Sequence, residues 1–230
     1  SGRITAEIDL PETGEPTKRV ELYLPHCRTA LLESISLSAG AEWEPLRPGP
    51  LWLVLGDSIT QGMNGVHPSL IWPAVAGRRL GMNVHNAGVG GAVFDVETLR
   101  EPPADAPNLI SVAYGINDYN GGTDASPAKD YLHRLREIYP DVPVFVLEPT
   151  FSPRDGLDLP PKPNASGITL QEYRHQLRDI VDEFGNMRCL RSEMLLPKVP
   201  TFVPDGVHPG TVGHQVMGAN VARLLRNAGL

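Results

Sequence analysis

Ser58 stands in the stretch GDSITQG (56–62), directly after the apolar run LWLVL (51–55). A serine hydroxyl is a weak nucleophile at neutral pH. It becomes useful for acyl transfer beside a general base, most often a histidine that a carboxylate orients. Asp205 and His208 form such a pair, three residues apart in DGVHPG (205–210). That spacing lets the carboxylate reach imidazole Nδ1 while Nε2 faces Ser58. Attack on a carbonyl also creates an oxyanion, which needs donors fixed in advance. Gly91, in NAGVGG (86–91), offers a backbone N–H unobstructed by a Cβ, and Asn117, in GIND (115–118), offers a side-chain amide. The Ser58 N–H, at the start of a helix, is a third donor where the helix dipole favours negative charge. Each residue also has a plain reading. Ser58 suits a helix N-cap, Asn117 an Asx turn, Gly91 a flexible loop with Gly90 beside it, and Asp205 and His208 a turn before a helix.

The elements that must hold these residues divide the chain in two. In residues 1–48 apolar side chains alternate with polar ones: Ile4, Ala6, Ile8 and Leu10, then Val20, Leu22 and Leu24, then Ile35 and Leu37. Period-2 patterning predicts half-buried antiparallel strands. Three such strands leave edges and one face uncovered, so they are expected to be the end of a larger β-domain. Pro45, Pro48, Gly49 and Pro50 make a stiff linker. From residue 51 to 230 apolar runs at 51–55, 82–88, 108–114, 142–148 and 186–191 alternate with helical patterns near 69–80, 92–100, 127–138, 169–184 and 211–228. This predicts an α/β domain with a five-stranded parallel sheet covered on both faces. Ligands of such sheets bind outside the carboxyl ends of the strands, where the four stretches lie. The proline-rich segment 151–167 is expected to be a functional loop.

In order and approximate spacing, GDSITQG, NAGVGG, GIND and DGVHPG resemble the four signature blocks of the SGNH (GDSL-type) hydrolases. The resemblance runs from Leu51 to the C-terminus. It implies a flavodoxin-like three-layer α/β/α fold, no metal or cofactor, and hydrolysis of esters. It also implies Ser58 as nucleophile, His208 as base, Asp205 as its orienting residue, and Ser58, Gly91 and Asn117 as oxyanion donors. Two positions depart from the commonest pattern: GDSIT in place of GDSLS, and Ala92 where an Asp is usual. The N-terminal strands resemble the end of a β-sandwich domain that precedes some of these enzymes.

Other classes are disfavoured. A net charge of −7 supplies no basic stripe for nucleic acid, and no apolar stretch has the length of a membrane span. The turn GVGGAV (88–93) is not a G-x-G-x-x-G dinucleotide motif, and there is no Walker lysine. Cys27 and Cys189 are expected to be free thiols, and the remaining histidines form no ligand cluster. These features and the absence of a signal-peptide core favour a cytoplasmic setting, with secretion open if a leading segment is missing. The expected partner is a small-molecule ester, and the oligomeric state is open. An esterase is the leading reading and an acyltransferase using a thioester or ester donor the alternative, since both pass through an acyl-serine. A carbohydrate-binding module that has lost catalysis is disfavoured because no triad member is missing.

Overall fold

Each of the five apolar runs expected to be strands from residue 51 onward is one in the computed structural model, which describes residues 5–10, 14, 17–46, 49–99, 106–156 and 160–230. The strands are β1 (Leu51–Gly56), β2 (Asn83–Gly88), β3 (Leu109–Ala113), β4 (Val144–Leu147) and β5 (Met187–Leu190). They pair in parallel in the order β2-β1-β3-β4-β5. β3 and β4 lie inside the sheet and are apolar on both faces, with Leu109, Ile110, Val112, Val144, Val146 and Leu147 all buried. Ser111 interrupts that run, and its hydroxyl accepts the Trp52 indole N–H at 3.0 Å, so neither buried polar group is orphaned.

Two helix pairs cover the sheet. α2 (Trp72–Leu80) packs on α7 (Thr211–Asn227), and α4 (Pro127–Ile138) on α5 (Leu170–Asp182). Right-handed crossovers, together with the reversal of strand order after β1, put the pairs on opposite faces. The result is the three-layer α/β/α arrangement. α5 shows the local logic: Leu170, Tyr173, Leu177 and Val181 recur every three or four residues and are buried. A capping box starts it, in which Thr169 Oγ1 accepts the Glu172 N–H at 3.2 Å and Glu172 accepts the Thr169 N–H at 2.7 Å.

Two expectations require correction. The antiparallel segment expected in residues 1–48 is not formed among the described residues, and part of its first strand lies outside them. Val20, Leu22, Leu24, Ile35 and Leu37 are exposed. A half-buried strand gains from cross-strand neighbours and a second layer, and three short runs alone offer neither. The segment touches the α/β unit through Tyr23, whose hydroxyl accepts from Arg78 Nη1 at 2.9 Å, and His26, whose Nε2–H donates to Gly62 O at 3.0 Å. The helix expected at 92–100 is only a 3₁₀ turn, Val96–Thr98, with residue 100 outside the described set. Its would-be first turn is held elsewhere. Phe94 N–H donates to the Asp118 carboxylate at 3.2 Å, and Asp95 takes the Glu97 N–H at 3.0 Å.

Candidate active site

β1 ends at Gly56 and the chain turns at once into the one-turn helix α1 (Ser58–Gln61). Asp57 is its N-cap, accepting the Ile59 N–H at 2.9 Å. The plain reading of Ser58 as the cap therefore fails, because the preceding residue does that work. Ser58 opens the helix, where its N–H has no in-helix acceptor. Burial pushes the Asp57 carboxyl up to about 7, against the lowering effect of the Ile59 N–H. The folded chain thus keeps a proton that the unfolded chain releases near 3.8, so stability declines as pH rises from about 4 to 7 and levels off above. Asp57→Asn keeps a capping side chain and should flatten this slope in urea unfolding at pH 5, 6, 7 and 8. Parallel profiles for the two proteins would remove Asp57 as the source.

β2 delivers the glycine turn. A Cβ on Gly88 would stand 2.3 Å from the Gln61 backbone N, so the end of β2 presses against α1 only because residue 88 is glycine. Asn86 Nδ2 donates to Thr60 O at 2.8 Å, and the Gly90 N–H donates to Gln61 Oε1 at 2.9 Å. The Ala92 N–H donates to Val89 O at 3.1 Å and closes a turn whose third residue, Gly91, has φ +80°. That left-handed backbone suits glycine, and the Gly91 N–H meets no acceptor among the described residues. The turn lies against the serine: a side chain on Gly90 would begin 3.9 Å from Ser58 Cβ.

Beside β1, β3 runs into α3 (Ile116–Asn120), which carries Asn117. One N–H of the Asn117 amide is anchored on Ala92 O at 2.9 Å, which fixes the plane of the group and leaves its second N–H free to donate. Because α3 follows the strand next to β1, Ser58 and Asn117 flank the point where the strand order reverses.

The loop before α7 closes the site. Ser58 Oγ lies 2.8 Å from His208 Nε2, and His208 Nδ1 lies 2.7 Å from Asp205 Oδ2. With the Nδ1 proton facing the carboxylate, Nε2 is left to accept from the serine. Partial burial works to raise the Asp205 pKa. The His208 N–H at 2.7 Å, the imidazole, the Val207 N–H at 2.9 Å and the Asn64 amide at 2.9 Å outweigh it and hold the carboxyl well below its usual range. All five predicted site residues thus converge on one end of the sheet.

Asn64 is a member of this site that sequence reasoning did not single out. It is the lone described non-glycine residue at positive φ, 64°, and its amide binds the Asp205 oxygen that also faces His208. The dipeptide Asn64-Gly65 marks a turn, but nothing local points to a carboxylate 141 positions away. The buried His214 holds the same turn, its Nε2–H donating to Met63 O at 2.9 Å.

Residues 54–216 match the family model described as GDSL-like Lipase/Acylhydrolase family. No curated protein matches. Among solved structures, a salicylyl-acyltransferase, SsfX3, from a tetracycline biosynthetic pathway is 21% identical with a TM-score of 0.63, covering 81% of this chain and 57% of that one. A putative GDSL-like lipase from Bacteroides ovatus is 18% identical with a TM-score of 0.63, covering 78% and 53%. A member of the lipolytic protein G-D-S-L family from Veillonella parvula is 19% identical with a TM-score of 0.56, covering 77% and 99%. The chain thus spans nearly all of the last protein but little over half of the other two. At these identities the likeness concerns the fold.

Proposed function

We propose, from the premise that this chain belongs to the GDSL-like lipase/acylhydrolase family, that it is a serine esterase acting on a small-molecule carboxylic ester. One observation carries the reading: the unbroken hydrogen-bonded line from Ser58 Oγ through the His208 imidazole to Asp205. His208 Nε2 takes the hydroxyl proton as Ser58 Oγ attacks the acyl carbon. The Ser58 N–H, the Gly91 N–H and the free Asn117 N–H receive the oxyanion, each donor worth about 2.7–4 kcal/mol by precedent. Asp205 holds the imidazole in place and stabilises the imidazolium. The leaving alcohol departs with the proton from His208, and the acyl group stays on Ser58. A water molecule, deprotonated by His208, then releases the acid and regenerates the serine. No metal or cofactor has a role in these steps, and the substrate needs no nucleic-acid partner.

Acyl transfer to an alcohol is the second reading, favoured by the acyltransferase named among the structural neighbours. It differs only in which hydroxyl meets the acyl-serine. A fluorophosphonate probe should label one residue, Ser58, as mapped by peptide mass spectrometry, and label nothing in Ser58→Ala. An unlabelled native protein would end both readings. With a labelled protein, adding candidate alcohols to an ester or thioester donor and weighing the products separates hydrolysis from transfer.

A further inference from the structure

A cleft of about 320 Å³ opens between α3 and the described loop segments 151–156 and 160–167, lined by Tyr119, Asn120, Gly122, Arg154, Lys162 and Asn164 among others. Both walls lead back to the candidate active site. One wall is the second half of the helix that begins with Ile116 and Asn117. The other is the 3₁₀ turn Pro153–Asp155, which leans on the His208 loop: Ser152 Oγ donates to Gly206 O at 2.7 Å, and a side chain on Gly206 would begin 3.6 Å from the Pro153 ring. The Tyr119 hydroxyl donates to Lys162 O at 2.9 Å and joins the two sides.

The chemistry of this cleft differs from that of the chain around it. The protein carries a net charge of −7, yet no carboxylate lines the cleft among the described residues. The Arg154 guanidinium and Lys162 ammonium make no ion pair with any described residue. Neighbouring arginines are committed, Arg174 to Asp155 and Arg178 to Glu148. The Asn120 side chain likewise has no hydrogen-bond partner among the described residues. Unpaired donors of positive charge around a concavity select an anion, a planar guanidinium being suited to a carboxylate or phosphate.

We infer that this cleft binds an anionic group, carboxylate or phosphate, carried by the ester substrate, with Arg154 and Lys162 as its specificity determinants. The inference rests on the esterase reading for the word substrate, and binding measurements keep the two apart. In Ser58→Ala, where turnover does not interfere, calorimetry compares p-nitrophenyl hemisuccinate with p-nitrophenyl butyrate, whose acyl chains differ by a terminal carboxylate in place of a methyl. If the group is a carboxylate, the hemisuccinate binds at least about tenfold tighter, and the advantage shrinks in 0.5 M NaCl. If it is a phosphate, inorganic phosphate binds to the same protein while the two esters bind alike. In either case the Arg154→Gln, Lys162→Gln double variant, checked for an unchanged circular dichroism spectrum, abolishes the preference or the phosphate binding. Equal ester binding without phosphate binding, or a preference that survives the double variant, overturns the inference. Ester hydrolysis that survives in Ser58→Ala would remove the serine-esterase reading and leave the binding result standing by itself.

Discussion

Replacing Ser58 by alanine should lower kcat for p-nitrophenyl acetate by about 10⁶-fold, His208→Ala should cost about as much, and the double variant should be no worse than either. The reason is geometric. On the proposed mechanism the Ser58 hydroxyl, 2.8 Å from His208 Nε2, acts as a nucleophile only as part of a pair, and losing either member removes the same transition-state interaction. The donors at Gly91 and Asn117 survive all three changes. A residual acceleration of about 10³–10⁴ over water should therefore remain in each variant. Steady-state kinetics on the three proteins decide the matter. Losses that multiply in the double variant would show that the two groups act separately. A Ser58→Ala protein keeping a tenth of the native rate would leave the serine without a chemical role.

Asp155→Ala should lower unfolding stability by about 3–5 kcal/mol, read as a fall in the urea midpoint at unchanged m. Arg174 donates from Nη1 to Asp155 Oδ1 at 2.6 Å and from Nη2 to Oδ2 at 3.1 Å, and both side chains are only 6% exposed. Removing the carboxylate strands a buried guanidinium, whose other donors already reach Pro149 O and Thr150 O in the loop that follows β4. It also takes away the acceptor of the Ser152 N–H, in the turn that supports the His208 loop through Gly206. The contrast is Arg134→Ala, which breaks a pair exposed by 44% and 67% and should cost well under 1 kcal/mol. Equal effects for the two substitutions would mean that burial is not what gives the Arg174–Asp155 pair its weight.

The α/β domain was legible because its signals are local. An apolar run such as LISVA in β3 buries both faces and reads as an interior strand, while the α5 spacing and its Thr169–Glu172 box mark a helix and its start. The 92–100 segment misled for the complementary reason. Its helical spacing is real, but Asp118, from another block, captures the Phe94 N–H. The same limit governs residues 1–48, whose period-2 pattern states which face a strand would bury but not that a partner is present to bury it.

For the site, residue types, their placement after successive strands and the short Asp205–His208 spacing were set by the chain alone, since each depends on neighbours within a few positions. Tertiary structure decided the rest: that Ser58 meets an imidazole 150 residues away, that Asn64 crosses 141 residues to hold Asp205, and that Arg154 and Lys162 line one cleft with no carboxylate among its described residues. Contacts of that separation are fixed by the order and twist of the sheet and by helix packing. A linear pattern encodes these only through the complete fold.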